Sequence, residues 1–253
     1  MHTTTKLLAV VVIVMLFTVV IVFTPLFRVP IFGSDLFTWR DVVEQVILTI
    51  LLSFANYRIY IYAVSRIDTR SGWLIAFTNL LVVAGIVLSA LGVGMRFAGN
   101  KIELNYCGTD LRHDQICQIA HLFHEPLGHC PILFGSIFMS LALLIVQLVS
   151  MEEIALDRLN NILVSVFGAL SSLVLFALVI EGGIVNMGLP LITIYAFGCI
   201  LIYLLKRQEI SRLPLLNYKL IGFLLAVILV VAWGIYWRGF PEFSELNRAI
   251  IQK

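Results

Sequence analysis

Long apolar runs alternate with short polar stretches along this chain, and the runs are of similar length. Leu7–Phe27, Val42–Val64, Trp73–Met95, Pro131–Ser150, Asn161–Ile180, Ile184–Leu205 and Leu220–Trp237 are the apolar runs. Each approaches the roughly 20 residues that an α-helix needs to cross about 30 Å of hydrocarbon. Lipid offers no partner to a free backbone N–H or C=O, so such runs must be helices. The pattern predicts an all-α integral membrane protein with seven transmembrane helices. No polar stretch between them is long enough for a second domain, so residues 1–253 read as a single polytopic membrane domain. The first run is too long for the apolar part of a signal peptide and lacks a small-residue cleavage site, so it is expected to target and anchor the chain.

The interruptions read as loops and turns. Arg28–Asp41 contains Pro30 and Gly33, and Arg96–His113 is the longest polar stretch. Glu181-Gly182-Gly183 is a tight turn and Lys206–Lys219 a basic one. The second run carries Ser53, Asn56 and Arg58, read as interhelical hydrogen-bonding groups and a snorkelling arginine. Tyr57, Tyr60 and Tyr62 with Trp73 read as an interfacial aromatic belt, as do Trp233, Tyr236 and Trp237. Gly85 and Ser89, Ala90 and Gly94, and Gly168 and Ser172 are small pairs four apart, a spacing that lets helices approach closely in lipid. Such faces can pack against a partner helix.

Composition agrees with the pattern. The chain is 60% hydrophobic and 13% charged, against about 25% charged in soluble domains. Net charge is only +2, with no basic block, so nucleic acid is not implied; the expected partner is the lipid bilayer. Lysines and arginines divide equally between the two sides, but the N-terminal side gathers Lys206, Arg207, Arg212 and Lys219 in one short turn. The positive-inside rule then places the N-terminus in the cytoplasm and the C-terminus outside, in the plasma membrane. On the outer side Cys107 and Cys117 can pair in an oxidising compartment. The alternatives are two free thiols, or Cys117 as a metal ligand.

Candidate chemistry concentrates in one stretch, Asp114–His129. Four of the five histidines lie between residues 113 and 129. At about 100° per residue, Asp114, Cys117, His121, His124, Glu125 and His129 share one face, and Ile116, Ile119, Phe123 and Leu127 line the other. This predicts an amphipathic helix leading into the fourth span, kinked by Pro126 near residues 122–126. Lipid-binding interfacial helices carry lysine and arginine on the polar face; here none occurs between Arg112 and Arg158. Imidazole and carboxylate are ligands for zinc and related ions. His121, His124, His129 and Glu125 are therefore the candidate metal ligands, with a divalent ion, zinc among them, as the expected cofactor. Glu125 and Glu181 are the candidate catalytic carboxylates, and Glu44 is a further carboxylate on the same side.

The spacing His-x-x-His-Glu-x-x-x-His names no reaction. His124-Glu125-Pro126-Leu127-Gly128-His129 has one residue too many for the zincin His-Glu-x-x-His pattern. In helix count and ligand type the chain is similar to the seven-helix alkaline ceramidases and adiponectin-receptor-like hydrolases. Those families also place histidines on a late helix, whereas none follows His129 here. The last run contains no lysine, which argues against a retinal-binding protein. Two kinds of function stay open. One is a metal-dependent, hydrolase-like enzyme acting on a lipid or lipid-linked substrate. The other is a non-enzymatic membrane subunit, or an ion- or proton-coupled transporter, in which the cluster is a polar packing or proton site.

Overall fold

The computed structural model describes residues 2–23, 30–31, 34–43, 49–66, 72–107, 115–150, 156–206 and 213–243. The helices are α1 (Thr3–Phe23), the short α2 (Trp39–Asp41), α3 (Thr49–Val64), α4 (Gly72–Tyr106), α5 (Gln115–His124), α6 (Pro126–Val149), α7 (Arg158–Glu181), α8 (Val185–Leu205) and α9 (Pro214–Trp237). Among the described residues, five stretches are long and apolar enough to cross a membrane: Gly72–Tyr106, Gln115–Val149, Arg158–Glu181, Val185–Leu205 and Pro214–Trp237. These apolar helices are consistent with insertion in a bilayer. The polar stretch before α2 is more than a loop: β1 (Pro30–Ile31) and β2 (Ser34–Thr38) pair antiparallel.

The largest departure from the sequence reading is in Arg96–His113. Helix α4 runs through it to Tyr106, 35 residues in all, or about 52 Å at 1.5 Å per residue. The hydrocarbon layer is only about 30 Å thick, so a polar stretch after Met95 need not end the helix. A helix of this length can cross the layer and continue beyond it. Pro126 acts as expected: the helix breaks at Glu125 (φ −88°, ψ −89°) and α6 begins at Pro126, not Pro131. At the other end of the molecule α9 starts at Pro214, so Lys219, assigned above to a turn, lies on the last helix.

Helix α4 packs antiparallel along α6 and then along α5. Contacts follow one register: Gly85 on Gly135 and Met139, Ser89 on Gly135, Gly92 on Gly128 and Ile132, Arg96 on Gly128, and Gly99 on Ala120 and His124. A Cβ on Gly92 would run into the Gly128 carbonyl oxygen, and one on Gly99 would lie 2.5 Å from the Ala120 carbonyl oxygen and the His124 nitrogen. The backbones approach this closely only because side chains are missing from the seam, the device that packs helices in lipid. A second seam sets Gly168 of α7 against Tyr218 and Ile221 of α9, with Gly222 against Ser171. Thus Gly85, Ser89, Gly168 and Ser172 are buried within the chain, whereas Ala90 and Gly94 stay exposed, with open space beside Gly94.

Polar groups tie the N-terminal end. Gln147 of α6 accepts the Leu216 N–H at 2.8 Å, satisfying one of the donors that the start of α9 leaves without a helical partner. The Tyr60 hydroxyl is 2.8 Å from Thr78 Oγ1 and donates to Asn79 Oδ1 at 2.8 Å; Tyr60 is 1% exposed and so does not belong to an interfacial belt. Asn56 donates to Leu52 of its own helix, not across to another. His2 bonds Asn160 at the start of α7, and Phe243 bonds Glu181 at its end, so the two termini of the described chain lie at opposite ends of α7.

Replacing Gly92 by leucine should destabilise the protein by about 1–3 kcal/mol through overpacking, seen as a lower unfolding midpoint in detergent. Gly94→Leu, two residues along the same helix but facing open space, should leave the midpoint unchanged.

Candidate functional site

The face of α5 that bears its polar groups turns inward, against the extension of α4, and its apolar face turns out. Cys117 and Ala120 are buried, while Ile116 and Ile119 are exposed at 63% and 56%. The partner on α4 is Glu103, which the sequence reading left in a loop. His121 Nδ1–H donates to Glu103 Oε1 at 2.8 Å and His124 Nδ1–H donates to Oε2 at 2.6 Å. One carboxylate therefore clasps two imidazoles one helical turn apart, an arrangement that i,i+3 neighbours permit. Hydrogen bonds to an ionised carboxylate are shorter and stronger than neutral ones. One turn further out, Cys107 and Cys117 form a disulfide. That rules out both free thiols and Cys117 as a metal ligand. The same α4–α5 register thus runs from Gly99 through Glu103 to Cys107.

On the far side of α4 from the clasp, Lys101 pairs with Asp41. Burial by itself would raise the Asp41 carboxyl, but hydrogen bonds from Lys101 and from Thr38 outweigh it and hold the group below its ordinary value.

Glu125 and His129 form a second, buried group at the break. The missing N–H of Pro126 bends the chain, and the Glu125 carbonyl accepts both the His129 backbone N–H at 3.0 Å and its Nδ1–H at 2.8 Å. The ring is thereby fixed as the tautomer with its lone pair on Nε2. Glu125 Oε2 lies 3.8 Å from His129 Nδ1, and Oε1 lies 3.5 Å from His124 Nδ1. The carboxylates of Glu242, Glu181 and Glu103 and the guanidinium of Arg96 are all near enough to act on the charge of Glu125. Glu181, at the end of α7, accepts the Phe243 N–H at 3.0 Å. The turn that follows it meets the histidine directly: a Cβ on Gly182 would lie 2.6 Å from His129 Cβ.

The expected ligands are thus divided. His121 and His124 belong to the Glu103 clasp, whereas His129 and Glu125 belong to the buried group beside Glu181. Among the described residues, no three His, Cys, Asp or Glu side chains come together as the ligands of one ion. Glu44, His113 and Asp114 lie outside the described residues. Sequence reasoning missed Glu103, Arg96 and Glu242. For the first two a signal existed: Gly92, Arg96, Gly99, Glu103 and Cys107 recur at helical spacing and continue the stripe that begins at Gly85 and Ser89.

The fold and the site define a class, a helical protein with five apolar stretches long enough to span a membrane and a histidine–carboxylate network between α4 and α5. The chain matches no protein-family model, no curated protein and no solved structure.

If the clasp joins the helices, Glu103→Gln and His124→Ala should each lower the unfolding midpoint. Hydrogen bonds to charged groups contribute about 1.5–3 kcal/mol each when buried, and less at this partly exposed position. The double variant should be less destabilised than the two single losses added together. Strict additivity would mean that the two side chains do not interact.

Proposed function

We propose that the protein is a seven-span, single-domain membrane subunit that holds a fixed helical hairpin on the outer side of the plasma membrane, with its N-terminus in the cytoplasm. The observation that carries this reading is the Glu103 clasp. The imidazoles that mark the sequence as chemically active are spent on joining α5 to the part of α4 that outruns the bilayer. Disulfide, clasp and glycine contact fall on one register, and redundancy of that kind suits a rigid scaffold. The seven-span count is supported by the apolar helices α1 and α3 beside the five longer ones, and by termini at opposite ends of α7, as an odd number of crossings requires. The outward placement of the hairpin is supported by its disulfide, which an oxidising compartment favours. In this reading the exposed apolar face of α5 meets another membrane or extracytoplasmic protein.

A second reading is favoured by one detail. Both clasped histidines use Nδ1, which leaves Nε2 free, and a carboxylate commonly orients a metal-binding imidazole in this way. His121 and His124 would then hold a divalent ion such as zinc, and Glu125 or Glu181 would serve as base toward a lipid or lipid-linked substrate. In the transporter variant the same groups would pass a proton or an ion.

Metal analysis of the purified protein separates these readings. The scaffold expects no stoichiometric transition metal, and a His121→Ala/His124→Ala variant that loses thermal stability with no change in metal content. One ion per chain, lost in that double variant, would establish the metal site instead.

A further inference from the structure

The residues after α9 fold back onto the molecule. Arg238 takes the left-handed conformation (φ 54°) and Gly239 N–H bonds Gly234 at 3.0 Å, which reverses the chain. Two hydrogen bonds then fasten it: the Trp233 indole N–H donates to the Pro241 carbonyl at 3.0 Å, and Phe243 N–H donates to Glu181 Oε2 at 3.0 Å. The Phe243 ring closes edge-on against Trp233 and Phe176, with centroids 5.1 and 5.7 Å apart. Glu242, between the fastenings, is set over the α7–α8 turn, where a Cβ on Gly183 would come within 3.0 Å of its Oε1. His129 packs against the same turn through Gly182.

Below this strap sits a pair with little access to solvent. The side chains of Glu125 and His129 are 7% and 5% exposed, and Glu125 Oε2 has no hydrogen-bond partner among the described residues. A buried acceptor left unsatisfied is costly, and native structures contain few of them. The Glu242 carboxylate on the strap is also near enough to act on the charge of Glu125. The strap meets the turn at Gly183 and the buried pair meets it at Gly182, and the strap is a short segment outside the helices. Segments of that kind open locally at far lower free energy than the fold itself.

We propose that residues 238–243 are a lid over the Glu125–His129 pair, with Glu181 as its latch. Opening it brings Glu125 Oε2 to the outer solution. A carboxyl oxygen accepts a hydrogen bond or, when it carries the proton, donates one, so the group it admits is a small polar one such as water or a hydroxyl. The proposal rests on the outward placement of this end of the molecule proposed above; the buried pair adjoins the clasp, with Glu125 Oε1 3.5 Å from His124 Nδ1, and the lid is read at His129, which the clasp does not use.

Diethyl pyrocarbonate modification of the full chain in detergent, read residue by residue by peptide mass spectrometry at low extents, tests this. His121, whose side chain is 46% exposed, serves as the reference. In the unaltered protein His129 should react at least about tenfold more slowly than His121, as expected for a site reached only by local opening. Glu181→Ala, and separately the milder Trp233→Phe, should raise the His129 rate severalfold and leave His121 unchanged. The lid is overturned if His129 is unaffected by both substitutions, if it reacts as fast as His121 from the start, or if both histidines accelerate together.

Discussion

The seam between α4 and α5–α6 governs this molecule. Two antiparallel helices approach until backbone meets backbone, and they can do so because Gly85, Gly92, Gly99, Gly128 and Gly135 place nothing between them. In lipid the hydrophobic effect does not hold helices together, so close packing of this kind takes its place. The seam is also longer than the hydrocarbon layer is thick, and its far part carries polar contacts for which water can compete. There the small residues give way to Glu103 with His121 and His124, and then to the Cys107–Cys117 disulfide. One geometric register is thus held by three different forces in succession: dispersion in lipid, charge-assisted hydrogen bonds at the edge, and a covalent bond at the tip.

The position of the remaining chemistry follows from the same seam. Because α5 gives its polar face to α4, its apolar face is left outside, the reverse of an amphipathic helix on a soluble protein. Because Pro126 breaks the helix at Glu125, the next residues toward the membrane re-enter the packing with His129 facing the α7–α8 turn. The seam therefore separates what looked like one cluster into an edge clasp and a buried pair. The strap at residues 238–243 lies against the α7–α8 turn on which the second also packs.

Part of the fold was legible in the sequence, because membrane thickness imposes a length on apolar runs and five of the described stretches show it. The kink at Pro126 was legible for a similar reason, as a missing N–H, whereas the pairing of Cys107 with Cys117 stayed open beside free thiols and a metal ligand, because spacing along the chain does not fix it. The helical extension of α4 was not legible. Polar residues beyond the bilayer have the composition of a loop, and only the recurrence of Gly92, Arg96, Gly99, Glu103 and Cys107 separates helix from loop there. The candidate site suffered from the same gap. A helical wheel of α5 finds that His121, His124 and Glu125 share a face, but a wheel holds one helix, and the partner that decides what those residues do, Glu103, stands on another. Glu181 was identified by its position at a membrane edge beside two glycines. Its hydrogen bond to Phe243 was beyond reach, since it depends on the tail turning back at Arg238.

The most direct test of the seam and its register lies at its tip. Protein taken from membranes, alkylated without reduction and digested, should yield a cross-linked peptide joining Cys107 to Cys117, with both residues alkylated only after reduction. Recovery of both as free thiols, or of either paired with another cysteine, would contradict the register on which the clasp and the α4–α5 hairpin both rest.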